Sequence, residues 1–510
     1  MKQKIKNIIS YFLWFLIILI SVSSSWLVNQ FGNSDFEQYL YHLFGPKIGS
    51  NNDIFYLYFK QTIPMVLGIF IVIMVGLLIV RKFFAPSHSY LKVCFKGYEK
   101  RFSIPGITFL TKHILPISFL LLMFASYSSL KEIGFVDYAI DKSNYSLLYE
   151  EYYVEPTKKN LSFPEEKRNL ILIYVESLET SYAFTKNSGY DEGNIIPNLS
   201  ELASNNINFS NTDGFGGAYP VVGTGWTVAG LFSTMSGLPL TANMDYNTEE
   251  KYNRFMPGAI ILGDILKDAG YRQKFVLGSS IEFANRNTMF ESHGQYEILD
   301  YIEAKEEGRI PSDYHVWWGY EDSKMFDYAK ESVLDLANGD QPFNLVLLTA
   351  NTHFVGGYLE DSCSAVFDDD YSNAILCSDT MIANFISWLQ EQDFYDNTTV
   401  VITGDHLTMD QIWAQTLIDD GYERTIFNTF LNSPIEPTQE KNRVFTQFDL
   451  FPTILASIGV RIEGNRLGLG TNLFSDVSTL PEELGLDYFN EQLAMNSKYY
   501  NNHFVYAILD

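Results

Sequence analysis

Asn169-Leu170-Ile171-Leu172-Ile173-Tyr174-Val175, closed by Glu176, and Thr398-Thr399-Val400-Val401-Ile402, followed by Thr403-Gly404-Asp405-His406, are the two stretches on which the fold turns. Both are short, rich in β-branched residues and apolar without alternation, the pattern of a strand buried on both faces. Arg272 to Leu277 and Phe343 to Leu348 read the same way. Helical patterns lie near 227–236, 260–269, 323–337, 371–392 and 449–458. Apolar strands alternating with amphipathic helices predict an α/β fold, a mostly parallel sheet sandwiched by helices. In such a sheet reactive groups collect beyond the carboxyl ends of the strands. Glu176 ends one strand and Asp405-His406 another, so two carboxylate oxygens and one imidazole nitrogen form a donor set for a divalent cation. Singly, each has a plainer reading: Glu176 as a helix cap, Asp405-His406 as a turn.

The charge is split along the chain. The first 131 residues hold 13 basic and 4 acidic side chains, net +9, and the remainder holds 22 basic and 57 acidic, net −35. An acidic body of that size excludes a nucleic-acid binder, which needs a concentrated basic surface. Aromatic residues make up 15% of the chain, ample for a packed core, which excludes disorder. Within the basic head, 8–27, 62–80 and 114–130 are apolar runs of the roughly 17–25 residues that cross a bilayer. The first, behind Lys2, Lys4 and Lys6, exceeds the h-region of a signal peptide and reads as a retained anchor. Arg81, Lys82, Lys92, Lys96, Lys100, Arg101 and Lys112 put the second connection in the cytoplasm, and three spans then deliver the body to the outer side. The expected domains are a membrane region over 1–130, a polar connector over 131–168, a catalytic body over 169–474 and an acidic tail over 475–510. Cys363 and Cys377, on the oxidising side, read as a disulfide, with two unpaired core cysteines as the alternative.

Between the two strand ends lies Gly223-Thr224-Gly225-Trp226-Thr227-Val228-Ala229-Gly230, preceded by the Gly-rich run Gly214 to Gly217. A hydroxyl at a helix start sits where amide donors and the helix dipole favour an anion, a place for a nucleophile that attacks phosphorus. Thr224 and Thr227 are equally ordinary helix-start caps on spacing alone.

The block Ile173-Tyr174-Val175-Glu176-Ser177, the Gly-Thr-Gly-Trp-Thr run, Thr349-Ala350-Asn351-Thr352-His353 and Thr403-Gly404-Asp405-His406 together resemble membrane-anchored phosphoglycerol and phosphoethanolamine transferases of the alkaline phosphatase and sulfatase superfamily. Within it the chain is most similar to the phosphoglycerol transferase I family, which decorates osmoregulated periplasmic glucans, and next to the lipoteichoic acid synthases. The resemblance implies a nucleophile at Thr224, itself a metal ligand with Glu176, Asp405 and His406, and a fallback nucleophile at Thr227. It implies substrate contacts from His353, Asn285 and Arg286, the last able to hold phosphate bidentately. Lipoteichoic acid synthases usually carry tryptophan where Ala284 stands, which weakens the polymerase reading.

One divalent ion is implied, Mn2+ first, with Mg2+ or Zn2+ as alternatives. The implied donor is phosphatidylglycerol, the acceptor a periplasmic glucan or membrane-derived oligosaccharide, the by-product diacylglycerol, and the location the bacterial inner (plasma) membrane, multi-pass, with the catalytic body in the periplasm. Phosphoethanolamine transfer and polyglycerolphosphate synthesis are the neighbouring alternatives. Within the resemblance, sulfatase activity is discarded, since the Cys/Ser-x-Pro-x-Arg context it requires is missing around Thr224. His293 and His315 read as core or surface residues, and Asp449 as structural.

Overall fold

The computed structural model describes residues 2–32, 35–44, 53–83, 90–95, 98–103, 113–185, 193–241, 254–418 and 421–507. It divides into two units, Met1–Asn33 with Asn51–Asp137, and Ser34–Ser50 with Tyr138–Asp510.

The second unit is built on a six-stranded sheet. Its strands are β1 (Asn169–Val175), β2 (Arg272–Leu277), β3 (Glu297–Leu299), β4 (Phe343–Leu348), β5 (Thr398–Gly404) and β6 (Asn428–Leu431), in the order β3-β2-β4-β1-β5-β6. All pairings are parallel except β5 with β6. β1, β4 and β5 are buried along their whole lengths, which is why they read as continuous apolar runs. Successive side chains of β1 serve opposite faces. Leu170, Leu172 and Tyr174 join the core with the helices Thr227–Ser236 and Gln447–Ser457. Ile171, Ile173 and Val175 join the core with Asp322–Ala337 and Asp370–Gln390. Truncating any of these to Ala would cost about 2–5 kcal/mol.

β3 and β6 escape the sequence pattern, because three residues are too few to show a period and β6 is an edge strand opening on Asn428. Expected helix ends shift by at most two residues, and the helix Pro197–Asn205 adds to the set.

The connector from Tyr138 onward and the tail are parts of this unit. Helix Phe135–Ser143, from Tyr138 on, and helix Leu148–Tyr152 occupy the former, Leu148 and Tyr149 are buried, and Leu161–Ser162 pairs antiparallel with Arg461–Ile462. The tail packs back through Phe489, Leu493 and Phe504. Its Asn490 Oδ1 accepts from Val222 N–H at 2.8 Å and its Tyr500 hydroxyl donates to the Pro239 carbonyl at 2.6 Å. Cys363 and Cys377 lie with Cα atoms 5.8 Å apart, inside the disulfide range.

Among its described residues the first unit has three helices long and apolar enough to cross a membrane, Ile5–Phe31, Ile54–Ile79 and Ile114–Glu132. Trp14 Nε1 donates to Ser118 Oγ at 2.7 Å and Ser24 Oγ to Ser129 Oγ at 3.0 Å, small polar contacts of the kind that join apolar helices. Lys96 and Lys112, part of the expected cytoplasmic connection, lie outside the described residues.

Candidate metal centre and active site

The site forms where the carboxyl ends of β4, β1 and β5 stand side by side. Val175 is in register with Gly404, so Glu176 and Asp405 leave the sheet as neighbours. Thr349, just beyond β4, accepts from Glu176 N–H through its hydroxyl at 3.0 Å, and the Thr352 hydroxyl donates to the Glu176 carbonyl at 2.6 Å. Ser177 sits in the left-handed region at φ 59°, a strained choice for a non-glycine residue. Its amide donates to Asp405 Oδ1 at 2.7 Å and its hydroxyl to Glu176 Oε1 at 2.8 Å, so this bend aims both carboxylates.

Glu176, Asp405 and His406 each offer a ligand atom, all within 4.8 Å of one another, and all three residues are buried. His406 Nδ1 pairs with the Leu407 carbonyl at 2.7 Å, which assigns the proton there and leaves Nε2 as the ligand atom. Nε2 stands 3.3 Å from Glu176 Oε1 and 3.4 Å from Asp405 Oδ2. Burial and the neighbouring Glu176 push the Asp405 carboxyl up to about 7. Burial also drives Glu176 upward, but His353, His406 and the hydrogen bonds from His406 and Ser177 outweigh it and hold it down at about 2. Burial lowers His406, yet the two carboxylates dominate and lift it to about 9. Two buried like charges therefore compete for one proton in the absence of a cation. Asp405 Oδ2 is buried with no hydrogen-bond partner among the described residues. An orphan oxygen beside a second carboxylate and His406 Nε2 fits a divalent cation, because one ion in place of the imidazole's second proton satisfies all three.

The hydroxyl that reaches this cluster belongs to Thr227. Its Oγ1 is 3.3 Å from Glu176 Oε2 and 3.4 Å from His406 Nε2. Thr224, the expected nucleophile and ligand, is elsewhere: its fully buried hydroxyl donates to the Val221 carbonyl at 2.8 Å and accepts from the Val221 amide at 3.2 Å. The two threonines do not share a helical turn, because Trp226 is extended and the helix starts at Thr227. That start puts the helix N-terminus at the residue whose hydroxyl meets the cluster, a setting for phosphate. Gly230 brings the helix onto β5; a Cβ there would lie 1.9 Å from the Asp405 carbonyl oxygen.

His353 stands beside the cluster, and burial lowers its pKa even though Glu176 opposes the shift. Its Nδ1 pairs with the Phe354 carbonyl, leaving Nε2 unprotonated. Arg286 is buried and largely committed to its own loop. Nε donates to the Phe283 carbonyl at 3.1 Å, and Nη2 to Ser279 Oγ and the Ser280 carbonyl at 3.1 and 2.7 Å. With Nε and Nη2 taken, the bidentate grip expected of Arg286 reduces to Nη1. Burial holds its guanidinium down at about 10 against the pull of Glu176 and other acids. Asn285 and Ala284 form a left-handed pair at φ 60° and 57° that turns the chain into the helix carrying Arg286.

Three supporting residues escaped the sequence reading. Asp322 accepts from the amides of Ala350 and Asn351 at 2.8 and 3.0 Å, fixing the loop that carries His353. Tyr41, on the helix Phe36–Phe44, donates to the Ala284 carbonyl at 2.8 Å and lies 5.6 Å from the Trp226 ring. Ser177 is the third; its left-handed φ leaves no mark in composition or periodicity. His293 is a core residue bonded to Asp264 and Phe255, and His315 sits beside Tyr301. Asp449 caps its own helix through Thr446 and holds the Thr471 amide.

The sulfatase family model matches residues 168–460. Phosphoglycerol transferase I of Xanthomonas campestris pv. campestris is 31% identical over 353 residues, 66% of this chain and 46% of the relative. That of Escherichia coli O157:H7 is 31% identical over 336 residues, 64% of this chain and 41% of the relative. The chain thus spans about half the length of the curated relatives it matches. Among solved structures, the lipoteichoic acid synthase LtaP of Listeria monocytogenes aligns with a TM-score of 0.48 at 16% identity, covering 64% of this chain and 80% of that one. With the matched segment spanning more than half of its length and enclosing the cluster at the strand ends, the chain belongs to the sulfatase family.

Proposed function

We propose that this protein transfers phosphoglycerol from phosphatidylglycerol to a periplasmic glucan, releasing diacylglycerol, by way of a phospho-threonine formed on Thr227. The observation that carries the reading is the Thr227 hydroxyl, 3.3 Å from Glu176 and 3.4 Å from His406 at the start of a helix. The relatives named phosphoglycerol transferase I support the choice of headgroup.

Glu176, Asp405 and His406 are the residues that would hold the cation, Mn2+ in first place with Mg2+ or Zn2+ as alternatives. When bound, it supplies charge neutralisation for phosphoryl oxygens and a lowered pKa for a nearby hydroxyl. Thr227 Oγ1 attacks phosphorus, and the new Oγ1–P bond forms as the bond from phosphorus to the diacylglycerol oxygen breaks. The Thr227 proton passes by way of Glu176 Oε2, 3.3 Å away, to the departing diacylglycerol oxygen. Neutral His353 offers the Nε2 lone pair to a glycerol hydroxyl, a positioning contact in place of proton donation. Arg286 Nη1 donates to one phosphate oxygen. A sugar hydroxyl then attacks phosphorus, its O–P bond forming as the Oγ1–P bond breaks, and its proton returns to Thr227 Oγ1 by way of Glu176 Oε2.

In this reading the three apolar helices anchor the chain in the bacterial inner membrane. Residues 131–168 join that anchor to a periplasmic catalytic domain over 169–474 and its tail, and Cys363 and Cys377 are disulfide-bonded. The test is a full-length Thr227→Ala beside Thr224→Ala, each given Mn2+ and either phosphatidylglycerol or phosphatidylethanolamine. Thr227→Ala should lose diacylglycerol release by about 10^6-fold, the order seen when a nucleophile is deleted, and mass spectrometry should place phosphoglycerol on Thr227 of the wild type. Activity retained in Thr227→Ala and lost in Thr224→Ala would refute the assignment. Release from phosphatidylethanolamine alone would replace the donor.

A further inference from the structure

Beside the cluster stands an aromatic group with no part in the steps above. Val316 and Gly319 exchange both backbone hydrogen bonds, at 2.8 Å each, so Trp317 and Trp318 are the two central residues of a tight turn. Trp317 takes the first central position at φ 52°. Two-residue loops normally give a positive φ to Gly, Asn or Asp, and for a bulky side chain it is an outlier. Such strain persists where the surroundings enforce it and clusters at functional sites. The turn is stitched to the end of β2: Tyr320 N–H donates to the Gly278 carbonyl at 2.9 Å, and a Cβ on Gly319 would lie 2.1 Å from that oxygen. Ser279, the next residue, is one that holds Arg286.

The placement of the rings is specific. Trp318 lies 4.6 Å from the His353 ring and 5.3 Å from Phe283, whose own ring is 5.5 Å from the Arg286 guanidinium. Trp317 faces Tyr358 with centroids 6.4 Å apart and planes within 19°. The indole N–H groups of both tryptophans are buried and have no hydrogen-bond partner among the described residues. Buried indole N–H groups normally find an acceptor, and two orphans one residue apart are costly unless a ligand satisfies them.

Flat apolar faces with donors at their edges are complementary to a pyranose, whose C–H face stacks on a ring while its hydroxyls accept. The surrounding charge selects further. The chain beyond Lys131 carries net −35, which repels a polyanionic acceptor and leaves a neutral one undisturbed. We propose that Trp317, Trp318 and Tyr358 form the acceptor subsite, and that it takes a neutral hexose oligomer in preference to a glycerol-phosphate chain. The inference rests on the phosphotransfer reading for its purpose, but not for its binding.

Two measurements separate them. In the first, a neutral gluco-oligosaccharide is titrated into the detergent-solubilised full-length protein while tryptophan fluorescence is followed, with no lipid donor present. The wild type should show saturable quenching, and Trp317→Ala should weaken it about tenfold, the change expected for one lost aromatic contact. Trp317→Phe, which keeps a ring and deletes the N–H, should fall between. In the second, phosphatidylglycerol is supplied with either the gluco-oligosaccharide or a glycerol-phosphate oligomer. The ratio of phosphoglycerol transferred to sugar over that lost to water should drop about tenfold in Trp317→Ala. Absence of saturable binding in the wild type, an equal loss of transfer and hydrolysis in the variant, or preference for the glycerol-phosphate oligomer would each overturn the proposal. Saturable sugar binding without diacylglycerol release would sustain the subsite and refute the phosphotransfer reading instead.

Discussion

Gly230→Ala is the substitution whose effect the geometry defines most closely. The added Cβ would lie 1.9 Å from the Asp405 carbonyl oxygen, 2.8 Å from its carbon and 3.2 Å from Gln447 Nε2. Two of those atoms are backbone of Asp405, directly after β5 and one residue from His406, so the neighbour cannot yield as a flexible side chain would. Ordinary contact at about 3.5 Å requires the helix and strand to part by roughly 1.5 Å. Thr227 lies one residue short of a full turn before Gly230, so that displacement falls on the gap between its hydroxyl and the carboxylates. A misplacement of about 1 Å at a reacting group costs on the order of 100-fold in rate. Stability should change far less, because overpacking of about 1–3 kcal/mol is partly offset by the roughly 1 kcal/mol that Ala gains over Gly in a helix. Diacylglycerol release, thermal melting and Mn2+ affinity should be measured on the same preparation. Gly225→Ala is the control, since a Cβ there meets nothing within 4 Å. Release within about threefold of wild type in Gly230→Ala would show that contact between this helix and β5 does not set the geometry of attack.

Tyr41→Phe deletes the hydroxyl that holds the Ala284 carbonyl. Donor KM should rise several-fold with kcat nearly kept, while melting falls by the equivalent of about 1 kcal/mol; a change in kcat alone would count against a positioning role. Asp322 is pushed up to about 7, chiefly by burial. Its folded pKa exceeds the unfolded one, so its contribution is most favourable below about pH 4 and is lost as pH rises to 7. The gap in melting temperature between wild type and Asp322→Asn should therefore favour wild type more at pH 5 than at pH 8, and a pH-independent gap would contradict the burial argument. Cys363→Ser should lower stability by about 3 kcal/mol, the value for closing a loop of this length, and dithiothreitol should reproduce the loss in the wild type. Equal stability with and without reductant would mean the thiols are unpaired.

Much of the site was legible because its parts are local in sequence. A parallel strand buried on both faces has to be apolar at nearly every position, so β1 and β4 could be bounded from residue type alone. Glu176 and Asp405-His406 follow such strands directly, and parallel pairing makes strand ends into neighbours. The helix 36–44 was invisible as part of the site because its sequence lies between two apolar runs, far along the chain from the loops it supports. The grip of Arg286 was overestimated for a similar reason. Residue type shows what a guanidinium can hold, but not that Ser279, Ser280 and Phe283 already hold it.

The sequence by itself determined four of the six strands and the identity of the three ligand candidates, since burial and adjacency write themselves into residue type. Only the tertiary structure places Thr227, and not Thr224, beside the three ligand candidates. Both are threonines in one Gly-rich run, and the choice depends on where an extended Trp226 gives way to the first helical residue, a packing outcome set by Gly230 against β5. Three residues of offset place one hydroxyl on the Val221 backbone and the other within 3.4 Å of the carboxylate and imidazole pair.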